Sequence, residues 1–127
     1  MPLMEAINIM ELEEIKNIIV ESLEDSKARD IQVMDVAGVS SFADIMIVAT
    51  GTSTTHVRST GNSVAQKLKD LDIPPLGVEA GPQPDWVLVD AGDIIVHVMT
   101  EAARAHYSLE KLWDVKLAEA TPTETAD

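Results

Sequence analysis

Two short apolar runs separated by a polar, glycine-containing break make Asp85 to Met99 the most informative stretch of the chain. Trp86-Val87-Leu88-Val89-Asp90 and Asp93-Ile94-Ile95-Val96-His97-Val98-Met99 read as two strands around Ala91-Gly92. Gly92 supplies the positive φ of a two-residue turn. A turn at Ala91-Gly92 pairs Asp90 with Asp93, Leu88 with Ile95 and Trp86 with His97. One face then carries Val87, Val89, Ile94, Val96 and Val98, branched aliphatics suited to a core. The other carries Trp86, Leu88, Ile95, His97 and Met99, with Asp90 and Asp93 at the tip. That second face is apolar, mixed and rimmed by acid, the character of a docking surface rather than a reaction centre.

The remaining pattern predicts further elements. A first helix starts at Asn8, which caps, with Glu11 at N3 and Ile7 stapled to Leu12. Leu12, Ile15, Ile19 and Leu23 form its stripe, and it fades at Asp25-Ser26-Lys27. Ile31 to Val36 is a strand, Gly38 to Ser41 a turn, and Asp44 to Thr50 a nearly continuous apolar run, as in a strand covered on both faces. Ser53 or Thr52 caps a second helix, whose apolar side is Val57, Gly61, Val64, Leu68 and Leu71. Gly61 in that row implies close backbone packing, because glycine otherwise weakens a helix. Leu76-Gly77-Val78-Glu79 is a short strand. Thr100 caps a third helix carrying Ala103, Tyr107, Leu109, Leu112 and Trp113. The order α-β-β-α-β-β-β-α predicts one α/β domain over 8–116, a single mixed sheet with packed helices. Residues 1–7 and 117–127 are expected to be flexible termini.

Composition narrows the function. The chain has 127 residues, 46% of them hydrophobic, enough for one sizeable core. No apolar run approaches the roughly 18 residues of a membrane span. The start lacks a cationic region before an apolar stretch, which argues against a secretory signal. The absence of cysteine excludes disulfides and thiolate chemistry and fits the cytoplasm. Nine Lys and Arg against 22 Asp and Glu give a net charge of −13. Such a surface repels phosphate backbones, which argues against a primary grip on nucleic acid, and attracts basic proteins.

No candidate for chemistry stands out against its ordinary structural explanation. Gly51-Thr52-Ser53, between a strand and a helix, is a weak anion-binding signal without the further glycines and lysine of a phosphate loop, and the far commoner turn with a helix cap is the preferred explanation. His56, His97 and His106 lack the spacing of a helical metal pair, so no metal or cofactor is expected. His97 is expected to stack on Trp86. Asp44, Asp85, Asp90 and Asp93 do not alternate on one strand as a magnesium-binding pair does. Asp90 and Asp93 read as turn acids, and Asp44 as a residue bonding the backbone amides of the Ser40-Ser41-Phe42-Ala43 turn. No catalytic residue is assigned.

Several separated blocks resemble a known family. They are Ser40-Ser41-Phe42-Ala43-Asp44 running into Ile45 to Ser53 and His56-Val57, then Leu76 to Gly81, Asp85 to Asp90, Gly92 to Met99, and Tyr107 to Trp113. In order and spacing, from about Ile9 to Trp113, they resemble the bacterial ribosomal silencing factors of the Iojap family. The chain departs from that pattern at Thr100-Glu101-Ala102-Ala103-Arg104, where many relatives carry two adjacent acids. The resemblance implies a nucleotidyltransferase-like fold without catalysis. It also implies binding to the large ribosomal subunit through ribosomal protein fourteen of that subunit, which blocks joining of the small subunit. The expected partner-binding residues are Asp85, Trp86, Leu88, Asp90, Asp93, Ile95, His97, Met99, Glu101 and Tyr107. The rival reading is a nucleotidyltransferase-type enzyme using Thr50-Gly51-Thr52-Ser53 for phosphate and Asp44 with Asp90 or Asp93 for magnesium. A third makes the mixed hairpin face a homodimer seam.

Overall fold

The computed structural model describes residues 2–41, 43–80 and 85–107, with their side chains from residue 12 to residue 106. The elements follow the expected order: α1 (Pro2–Asp25), β1 (Arg29–Asp35), β2 (Ile45–Gly51), α2 (Thr54–Asp70), β3 (Gly77–Ala80), β4 (Trp86–Asp90), β5 (Ile94–Thr100) and α3 (Glu101–Tyr107). The strands form one sheet in the order β1-β2-β5-β4-β3. Only β2 and β5 run parallel. They are central, which explains their nearly unbroken apolar sequence: every residue of β2 and all but the last of β5 are buried.

The two faces of the sheet hold two cores. Ile19 and Leu23 of α1 and Val57, Val64 and Leu68 of α2 pack on Ile45, Ile47, Ala49, Val87, Val89, Ile94, Val96 and Val98. The opposite face buries Val36, Met46, Val48, Met99 and Ala103, with Met34, Val39 and Trp86 against them. Gly61 meets the first core without a side chain because there is no room for one. A Cβ there would lie 2.6 Å from Val87 Cγ1.

Four expectations change. The first helix extends back to Pro2, so Asn8 lies inside it and not at its start. Leu3, Met4, Glu5 and Ala6 are good helix formers, and proline is tolerated at the first helical position. Leu71 leaves the helical row: α2 ends at Asp70, Asp72 takes φ +64°, and Leu71 is 45% exposed. In the turn after β1, Ser40 Oγ rather than the Asp44 carboxylate accepts the Ala43 N–H. Asp44 contributes its backbone, its carbonyl accepting from Val36 and its N–H donating to the Asp93 carbonyl.

The fourth is the hairpin register. Ala91 N–H donates to the Ile94 carbonyl, so the turn is centred on Gly92-Asp93, one residue later than expected. Gly92 (φ +89°) takes its first central position, and the Asp90 carboxylate accepts the Gly92 N–H at 2.9 Å. Trp86 therefore pairs with Met99, Leu88 with His97 and Asp90 with Ile95. Each partner shifts by two, so every side chain keeps its expected face. The third helix begins as expected, with Thr100 Oγ1 accepting the Ala103 N–H. The helical positions Leu109, Leu112 and Trp113 and the tail 117–127 lie outside the described residues.

Candidate docking face

Trp86 and Leu88 alternate with buried Val87 and Val89, so the strand period places both on the face away from α1 and α2. Both are half-buried. Pairing of β3 with β4 sets Glu79 opposite Leu88. Glu79, Ala80, Asp85, Trp86 and Leu88 line a cavity of about 520 Å³. Two carboxylates thus flank an indole and an aliphatic side chain. Neither Glu79 nor Ala80 is among the residues expected at the site: the short strand is expected to end at Glu79, and its pairing with β4 is not visible in the sequence.

The other expected contacts divide by burial and position. Ile95 (9% exposed), His97 (5%) and Met99 (0%) lie within the sheet face. Met99 packs with Val36, Met46, Val48 and Ala103, so it presents no surface to a partner. Strand alternation fixes their face, but the second core on that face is built by Val36, Met46, Val48 and Ala103 from other parts of the chain. Asp85 and Glu101 are exposed at one end of the β4–β5 pair, where the Asp85 carbonyl accepts the Thr100 N–H. Asp90 and Asp93 sit at the hairpin tip, about 15 Å away by the rise of the strand. The acids are therefore two separate groups. The Tyr107 side chain and Trp113 lie outside the described residues.

Trp86 and His97 meet diagonally across β4 and β5, not directly opposite. The indole Nε1–H donates to His97 Nδ1 at 2.9 Å, with the ring centroids 5.6 Å apart and the planes inclined by 50°. The expected stack is replaced by a hydrogen bond, because the pairing offset brings the indole edge to the imidazole edge. Burial lowers the His97 pKa from 6.5 to about 4 and keeps the ring neutral.

The groups of the rival reading do not all converge: the Asp44 and Asp93 backbones meet through a hydrogen bond, but the phosphate turn lies at the other end of β2. Asp44 precedes β2, whereas Gly51-Thr52-Ser53 begins at its last residue, about 20 Å away by the rise of the strand. Gly51 is there for packing: a Cβ would lie 2.7 Å from Val57 Cγ2. Two N–H groups at this turn, those of Thr52 and His56, already have acceptors. Ser53 Oγ accepts the His56 N–H and His56 Nδ1 accepts the Thr52 N–H, while His56 Nε2 donates to the Ser26 carbonyl at 2.7 Å. His56 is thus a strut between the end of α1 and the start of α2. Among the described residues no three His, Asp or Glu side chains gather as a metal would require.

The protein is of the small mixed α/β class, a five-stranded sheet with two helices on one face and an aromatic concavity on the other. The chain belongs to the family of ribosomal silencing factors acting during starvation, whose model matches residues 9–127. It is 45% identical over 104 residues to the ribosomal silencing factor RsfS of Chromobacterium violaceum, covering 82% of this chain and 85% of that protein. The Bacillus subtilis RsfS is 33% identical over 111 residues, 87% of this chain and 94% of that one. A mouse protein named for mitochondrial assembly of the ribosomal large subunit is 31% identical over 79% of this chain and 45% of its own length. A crystal structure of a Chromobacterium violaceum protein superposes with a TM-score of 0.78 at 44% identity, covering 80% of this chain and 85% of that one. One from Bacillus halodurans gives 0.72 at 31% identity, covering 80% of this chain and 94% of that one.

Proposed function

We propose that this chain is a translational repressor of the cytoplasm. It binds the large ribosomal subunit through a basic protein, ribosomal protein fourteen of that subunit, and blocks joining of the small subunit by occupying its place. Family membership supports the ribosomal role. The observation that carries the docking site is the cavity in which Trp86 and Leu88 are half-exposed between Glu79 and Asp85. An aromatic anchor of this kind suits the centre of an interface, and flanking acids suit a cationic partner. The net charge of −13 favours a basic protein over ribosomal RNA.

No bond is made or broken in this mechanism. Trp86 and Leu88 exclude water at the centre of contact, Asp85 and Glu101 face the partner nearby, and Asp90 and Asp93 reach it at the far end of the hairpin. Ile95, His97 and Met99 support the surface from beneath. Replacing Trp86 by Ala should weaken binding to purified large subunits by 2 kcal/mol or more, roughly thirtyfold, with the domain still folded. Cosedimentation measures this, and undiminished binding by Trp86→Ala refutes the assignment.

A further inference from the structure

His97 is an unusual residue to bury. It is 5% exposed and lies in the pleat between Ile95 and Met99, beside Val48 on β2 and Leu88 on β4. These neighbours are apolar. Nδ1 accepts the Trp86 indole N–H, which leaves the ring proton on Nε2. Nε2 is itself buried and has no hydrogen-bond partner among the described residues. A buried donor without an acceptor destabilises the fold, and an aliphatic side chain would suit this position better. Among the described residues the ring's polar contact is with Trp86, which is half-buried at the cavity.

We infer that His97 is a positioning residue for docking: its Nδ1 holds the Trp86 indole in the orientation that the partner meets. This rests on the docking role proposed for Trp86 and deepens it. An indole bonded at its edge is denied most of its other rotamers before contact. The entropy of ordering it is then spent in folding rather than in association. Neutrality is part of the device, since a protonated Nδ1 would oppose the indole N–H with a second donor. Burial keeps the ring neutral by holding its pKa near 4.

Two nearly isosteric substitutions separate positioning from support. His97→Leu removes the acceptor and suits the apolar surroundings, whereas His97→Asn puts an oxygen close to the place of Nδ1. Support alone predicts that the more stable variant binds better. Positioning predicts the reverse order. His97→Leu should melt at or above the unmodified protein yet bind large subunits about tenfold more weakly, and His97→Asn should be less stable yet bind within about threefold of normal. The Trp86 indole proton, assigned in NMR spectra by its loss in Trp86→Phe, should exchange slowly in the unmodified chain and faster in His97→Leu. Tight binding by His97→Leu where Trp86→Ala has lost binding overturns the positioning role and leaves the docking face standing. Full binding by Trp86→Ala overturns both. Free exchange of the indole proton in the unmodified chain removes the hydrogen bond, and the inference with it, even if His97→Leu does not fold.

Discussion

At the scale of single residues, closeness of packing and cost of burial decide the outcome. Gly61 tests the first. Alanine would normally gain about 1 kcal/mol in a helix interior. Here its Cβ would press on Val87 Cγ1 from 2.6 Å, against a branched side chain that is itself buried. Gly61→Ala should therefore destabilise the domain by about 1–3 kcal/mol, read from urea denaturation. His97 tests the second. Its pKa lies at about 4 when folded and near 6.5 when unfolded. Between those values the unfolded chain holds the extra proton, so this contribution to stability is whole above about pH 6.5. It declines as pH falls and is lost below about pH 4. The difference is on the order of 3 kcal/mol. Denaturation of the native chain and of His97→Leu at neutral pH and near pH 4 should show the variant losing less stability by about that amount.

At the scale of elements, alternation and turn chemistry act separately. Alternation alone assigned Trp86, Leu88 and His97 to one face and Val87, Val89 and Val96 to the other. Pairing was set by the turn, and the turn by the position of Gly92. With φ at +89°, Gly92 occupies a conformation that other residues adopt at a cost. Gly92→Ala should cost about 1 kcal/mol, measured by thermal unfolding, and speed hydrogen exchange at Ala91 and Ile94 beside the tip. Capping was legible at α2, where Ser53 accepts the His56 N–H. It misled at Asn8, because a polar residue within a run of helix formers looks like a cap when nothing indicates that the helix continues past it. Leu71 failed for a related reason. Its spacing is helical, but the chain has already turned away there.

At the scale of the whole molecule, net charge and surface shape govern association. A chain of net charge −13 should approach a basic partner faster than a neutral one. Raising the salt from about 0.05 M to about 0.5 M should lower the association rate with large subunits by roughly tenfold. Neutralising Glu79 and Asp85 together, as Gln and Asn, should lower that rate while changing dissociation much less. Stopped-flow mixing measures both. The sequence by itself determined the order of the elements, the face each strand residue occupies and the sign of the charge, because period, turn residues and composition are local or additive. Only the tertiary structure decided that Met99 is buried while Trp86 is half-exposed, that Glu79 stands beside the indole, and that His97 meets Trp86 through a hydrogen bond. Those outcomes depend on which strands become neighbours and in what register, which the turn at Gly92 sets for the β4–β5 hairpin and packing between segments far apart in the chain settles for the rest.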